Sequence, residues 1–150
     1  MERREALAAY NDAYKEQDDL YRAVARQCGL SDCAFWVLYA LRESGRPMTQ
    51  SDVCAAVYQP KQTVHSALKK LAGEGYLQLT EGRDRRSKYL TLTAAGEMLM
   101  ARTVDRVTAA EETAMDTLTA AERTQFLALC RRYNAALRQA LSTAIGEKKE

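Results

Sequence analysis

Apolar residues recur along this chain with two different periods, and the change of period divides it. Over residues 3–27, Leu7, Tyr10, Tyr14, Gln17, Tyr21, Val24 and Cys28 stand at alternating three- and four-residue steps. That spacing is a heptad-like helical seam with one polar member, and Gly29 punctuates its end. A second helix is expected over 32–43, capped by Ser31, with Phe35, Leu38, Tyr39 and Leu41 among its apolar residues. Ser44-Gly45-Arg46-Pro47 reads as a turn. A short helix then opens at Thr49, with Asp52 placed to suit its positive end and Val53, Ala56 and Val57 inward. After a break at Tyr58-Gln59-Pro60, residues 61–72 form another helix with Val64, Ala67, Leu68 and Leu71 on its inner face. Its outer face carries Gln62, Thr63, His65, Ser66, Lys69 and Lys70.

At Gly73 and Gly75 the period drops to two. Residues 76–80 and 88–93 alternate, so Leu77, Leu79, Leu90 and Leu92 are expected on one face of a hairpin. The connection, 81–87, is longer than a tight hairpin needs and rich in arginine. Thr93 can cap one long helix running to about residue 116. Thr119-Ala120-Ala121-Glu122 is a capping box that opens a last helix, along which Phe126, Leu129, Cys130, Tyr133, Leu137 and Leu141 repeat at helical spacing.

The expected fold is therefore mainly α with a small β-hairpin wing. A winged helix-turn-helix core over 31–99 is flanked by N- and C-terminal dimerisation helices, 1–30 and 100–150. The seams of the terminal helices are better explained by a second copy of the chain than by a core this small. With 150 residues, 47% hydrophobic content, seven glycines and two prolines, the chain suits long helices and few loops.

Charge sharpens this picture. The whole chain carries a formal +2, but residues 61–88 alone carry +4, leaving −2 for the remainder. A basic segment in a near-neutral protein is the electrostatic footprint of a nucleic-acid surface or of a solvated basic face. Helix 61–72 is narrow enough for the major groove of double-stranded DNA. Gln62 can pair with adenine through two hydrogen bonds, while Thr63, His65 and Ser66 can reach base edges or phosphates. Lys61, Lys69, Lys70 and Lys88 suit phosphates. The connection would extend Arg83, Arg85 and Arg86 to the backbone or minor groove. Asp84 suits holding Arg86 in one rotamer through a charge-assisted hydrogen bond.

Cys28, Cys33, Cys54 and Cys130 form no C-x-x-C pair, and His65 is the single histidine, so neither a metal site nor a cofactor is expected. Largely apolar surroundings suit buried thiols in a reducing compartment. No apolar run approaches a membrane span, and Met-Glu-Arg-Arg does not lead into a signal-peptide core, so a cytoplasmic protein is expected. One histidine, no nucleophile motif and no phosphate-cradling glycine loop leave nothing to build an enzyme on.

Residues 60–71, 75–77, the Asp84-Arg85-Arg86-Ser87-Lys88 wing and Leu90-Thr91-Leu92-Thr93-Ala94-Ala95-Gly96 together resemble the MarR family of bacterial transcription regulators, over about 30–96. The resemblance implies an obligate homodimer with intertwined terminal helices, placing Leu7, Tyr10, Tyr14, Phe126, Cys130, Tyr133, Leu137 and Leu141 at the dimer interface. It also implies pseudo-palindromic operators, repression, and release by a small aromatic or phenolic effector. By that analogy Trp36 and Tyr39 lie near an effector pocket, core packing being the plainer role for both. Some relatives sense oxidants through a cysteine near the start of the first helix. Here the first cysteine, Cys28, stands at the far end, with only Arg26 nearby to favour a thiolate. A cysteine-based redox sensor is thus an alternative reading, as is a winged-helix protein-interaction module without DNA binding.

Overall fold

The computed structural model describes residues 1–81 and 88–146, which divide into two compact units between Arg106 and Val107. Helix boundaries in the first unit follow local chemistry. Helix α1 (Arg3–Gln27) opens on Glu2, whose backbone N–H donates to the Glu5 carboxylate. It closes where Gly29, at φ 70°, lets the Leu30 N–H reach back to the Ala25 carbonyl at 2.9 Å. Helix α2 (Asp32–Ser44) is capped by Ser31, whose hydroxyl accepts from the Ala34 N–H at 3.1 Å. Helix α3 (Gln50–Ala56) starts in a reciprocal box: Thr49 accepts from the Asp52 N–H, and the Asp52 carboxylate accepts from the Thr49 N–H. Helix α4 (Lys61–Gly73) follows Pro60.

The hairpin expected from the alternating segments is present as β2 (Leu77–Glu81) and β3 (Lys88–Leu92), antiparallel, with Leu77 opposite Leu92 and Leu79 opposite Leu90. A two-residue strand that the sequence reading did not include, β1 (Met48–Thr49), pairs with the other side of β3, giving the order β1-β3-β2. This third strand refines the expected leucine face. Leu90, on the central strand, is covered from both sides by Met48 and Leu79 and is buried, whereas Leu79, on an edge strand, remains 48% exposed.

Phe35, Val37 and Leu38 of α2 are fully buried, as are Val53 of α3 and Val64 of α4. Leu68 and Leu71 of α4 join them with Leu77 and Leu90 of the sheet. Each such apolar side chain removed from water contributes about 1.5–3 kcal/mol before entropy is counted. This core fixes α3 and α4 against α2 and leaves the opposite side of α4 free.

The single helix expected from Thr93 to residue 116 is instead two, α5 (Ala94–Arg102) and α6 (Val104–Asp116), broken at Thr103. Thr103 is buried, sits at φ −125° and ψ −90°, and donates its hydroxyl to the Leu99 carbonyl at 2.6 Å. A threonine bonding back one turn competes with the helical ladder and bends the chain. In the second unit, Thr119 and Glu122 form the expected capping box at the start of α7 (Ala120–Ile145). Arg123 closes the preceding turn by donating to the Leu118 and Met115 carbonyls.

Candidate nucleic-acid interface

Helix α4 presents two chemically distinct sides. Val64, Ala67, Leu68 and Leu71 are buried, while Lys61, Gln62, Thr63, His65, Ser66 and Lys69 are all exposed. The division follows from 3.6-residue periodicity, since residues three and four apart share a side. Ser66 donates its hydroxyl to the Gln62 carbonyl at 3.0 Å, so its remaining capacity toward a partner is as an acceptor. Lys70 lies 3.9 Å from Glu74, an exposed i,i+4 pair that offsets one basic charge. No side chain caps the start of α4, and none of its first-turn residues is acidic, so its open N–H groups meet no local negative charge.

Lys88 is exposed at the start of β3, opposite Glu81 in the ladder. The structure thus brings Lys61, Gln62, Thr63, His65, Ser66 and Lys69 onto the open side of one helix. Arg83, Asp84, Arg85 and Arg86, with the expected Asp84–Arg86 pairing, lie outside the described residues.

Trp36 and Tyr39 belong to an aromatic cluster. Trp36 packs against Tyr21 at 5.0 Å between ring centroids and against Phe35 and Tyr39 at 5.3 Å each. Both also line a cavity of about 580 Å³ between α1, α2 and the turn after α3. Phe35 is completely buried, but Trp36 and Tyr39 are half-buried and reach the cavity wall. The sequence reading did not single out the polar members of that wall, Asp18, Arg22, Asp32 and Glu43. The signal was available: Tyr14, Asp18 and Arg22 stand at i, i+4 and i+8, as do Asp32, Trp36 and Ala40, so each set shares one helix face.

None of the residues expected at a dimer interface is fully buried within the chain. Leu7, Tyr10 and Tyr14 on α1 are exposed, as are Phe126, Tyr133, Leu137 and Leu141 on α7, and Cys130 is intermediate. No residue of α7 is buried.

The thiols differ from the expectation of general burial. Cys33 is buried, and that burial holds its thiol above the ordinary cysteine range. Cys28, at the C-cap of α1, Cys54 on α3 and Cys130 on α7 are partly exposed. Among the described residues, no helix is long and apolar enough to cross a membrane.

This architecture has counterparts. Residues 29–87 match the family model described as MarR family. YwoH, an uncharacterised HTH-type transcriptional regulator of Bacillus subtilis (strain 168), is 36% identical over 69 residues. That stretch is 46% of this chain and spans only half the length of the relative. Among solved structures, NMB1585, a MarR family regulator from Neisseria meningitidis, superposes with a TM-score of 0.73 at 26% identity, covering 96% of this chain and 99% of its own. MepR of S. aureus, in complex with DNA, shares the fold at a TM-score of 0.68 and 18% identity, over 86% of this chain and 94% of its own. The short third strand, the braced α4 and the capped helix after the hairpin thus give the chain the fold of MarR family regulators, with the match to the family model confined to residues 29–87.

Proposed function

We propose that this protein is a cytoplasmic transcription regulator that binds double-stranded DNA as a homodimer, represses, and releases DNA when a small aromatic effector enters the Trp36 cavity. The observation that carries the reading is the exposed side of α4, where Gln62, Thr63 and Ser66 sit near the start of a helix whose opposite side is locked into the core. A helix held this way can present hydrogen-bonding side chains to base edges without first ordering itself. Lys61 and Lys69 flank them with charge suited to phosphates.

Three further observations support the parts of this reading. Leu7 and Tyr14 on α1, and Phe126, Leu137 and Leu141 on α7, leave apolar surface exposed that suits pairing with a second copy. The cavity beside Trp36 is large enough for a small aromatic molecule. MepR, of the same fold, has been captured on DNA. Arg86 would reach the backbone or minor groove from the wing, with Arg83, Arg85 and Lys88 adding charge and Asp84 orienting Arg86.

The test is selection of bound duplexes from a random pool, followed by gel-shift titration over a range of salt. The expected result is a two-fold symmetric site with half-sites about one helical turn apart. Affinity should fall steeply with salt, and Arg86→Ala should weaken binding to many sequences alike. Failure to bind any duplex at low salt, together with salt-independent capture of a protein partner, would replace this reading with that of an interaction module.

A further inference from the structure

The charge of the cavity wall bears on what enters it. Its aromatic part comes from four rings: Trp36 and Tyr39, half-buried on α2, and Tyr14 and Tyr58, exposed at its rim. Its charged part comes from three carboxylates, Asp18, Asp32 and Glu43, against one guanidinium, Arg22. That guanidinium is already engaged, because Arg22 Nη2 lies 2.9 Å from the Asp18 carboxylate. The wall therefore keeps two negative charges uncompensated by its own members.

Those two differ in how the fold accommodates them. Asp32 stands in the first turn of α2, where the helix dipole favours a carboxylate, and it accepts a hydrogen bond from the Gln59 amide at 3.3 Å. Glu43 stands in the last turn of the same helix, where the dipole opposes it, and no basic side chain pairs with it among the described residues. The Ser44 end of the cavity thus combines an unpaired carboxylate with the negative end of α2. A phenolate or aromatic carboxylate entering here would meet repulsion and, among the described residues of the wall, no cation but the engaged Arg22. A cation would meet Glu43, Asp32 and the electron-rich faces of Trp36 and the tyrosines.

We propose that the Trp36 cavity selects an aromatic cation, its rings seated among Trp36, Tyr39 and Tyr14 and its positive charge directed toward Glu43, with Asp32 at the other end of α2 adding to the negative field of the wall. This deepens the effector part of the proposed function and replaces the phenolic class suggested by family resemblance with its electrostatic opposite. Aromatic walls supply area and cation–π attraction, and the two carboxylates supply the preference for charge sign.

Trp36 is the chain's one tryptophan, so its emission reports on this cavity alone. The experiment titrates the full chain, without DNA, with tetraphenylphosphonium and with tetraphenylborate, two ions of the same shape and opposite charge, and with salicylate. Saturable change of Trp36 emission is expected with tetraphenylphosphonium only. Glu43→Gln should raise its apparent Kd roughly tenfold, and Asp32→Asn should raise it less because Gln59 shares that carboxylate. Circular dichroism of each variant checks that it folds. Equal or tighter binding of tetraphenylborate or salicylate would overturn the proposal. So would no response to any probe, or an unchanged Kd in folded Glu43→Gln. Because DNA is absent from the titration, failure here leaves the DNA-binding reading intact, and failure of the gel shift leaves this result intact.

Discussion

Arg42 joins α2 to the first turn of α6 through Asp105: Nε donates to Oδ1 at 2.8 Å and Nη2 to Oδ2 at 3.2 Å. The same Nη2 donates to Glu97 of α5 at 2.9 Å. One side chain therefore holds both helices on either side of the break at Thr103. The hydrogen bond to Glu97, then that to Asp105, keeps the guanidinium even more firmly protonated than usual. Arg42 is 35% exposed and Asp105 41%, so solvent screening cuts the strength of the pair. Arg42→Ala is expected to cost about 1 kcal/mol, falling at high salt, with most of it appearing as coupling to Asp105. Urea unfolding of the single and double alanine variants at two salt concentrations measures this; a coupling of zero would mean the fork contributes only geometry.

Gly96 gives a prediction whose sign separates local from tertiary physics. In a free helix, Gly→Ala stabilises by about 1 kcal/mol. Here a Cβ at Gly96 would overlap the Tyr76 carbonyl oxygen and press on Leu92, and that carbonyl already accepts from the Thr93 N–H at 3.1 Å. Backbone cannot yield as a flexible side chain can. Gly96→Ala is therefore expected to destabilise by roughly 1–3 kcal/mol, as overpacking does. A higher melting temperature for the variant would show that α5 shifts freely relative to the hairpin.

These two sites mark what the sequence reveals and what it hides. The Thr93-to-Gly96 helix start, the Thr49–Asp52 box and the Thr119–Glu122 box are legible because donor and acceptor lie three residues apart. The break at Thr103 is hidden because neither glycine nor proline marks it, and the Arg42–Asp105 fork that spans it joins residues 63 positions apart. Strand β1 is hidden for the same reason: two residues carry no alternation, and their partners Leu90 and Tyr89 lie some forty positions away. The polar side of α4 is legible from 3.6-residue periodicity alone. The cavity is legible only in part, because its charge depends on which helices face each other.

Acid should loosen the helix starts in a defined window. The Thr49 backbone hydrogen bond, then the Thr49 hydroxyl, holds the Asp52 carboxyl below its ordinary range, and Thr119 does the same for Glu122. A carboxylate whose pKa is lowered on folding adds stability that is complete above its unfolded pKa and is lost as pH falls through the native value. The loss belongs below about pH 4. Asp52→Asn should reduce stability at neutral pH and flatten its decline over that acid range. Chemical denaturation at pH 7 and in steps below pH 4 compares the two proteins; parallel curves would remove the box from the acid response.

On α4, Gln62 and Lys69 are expected to fail differently. Gln62→Ala should relax preference at one base pair of the selected site, at a cost of about 1–3 kcal/mol against the correct base. Lys69→Ala should weaken all sequences alike and reduce the slope of log affinity against log salt by about one. Binding measured on the selected duplex, a single-base variant and random DNA separates them. Uniform loss in Gln62→Ala would make that residue a backbone contact.

The dimer prediction ties the terminal helices to this chemistry. Leu137 and Phe126 stand on one side of α7, 38% and 48% exposed in the single chain. Replacing either with aspartate removes nothing from the monomer's core, so helicity should be preserved. It would, however, place a charge where a second copy must pack, at a cost an apolar interface cannot offset. Phe126→Asp or Leu137→Asp should therefore shift the chain from twice its mass to a monomer in light-scattering chromatography. DNA affinity should fall by at least a hundredfold, because two half-sites no longer bind as one unit. A folded monomeric variant that kept full affinity would detach pairing from DNA recognition, and a variant that remained dimeric would move the interface away from α7.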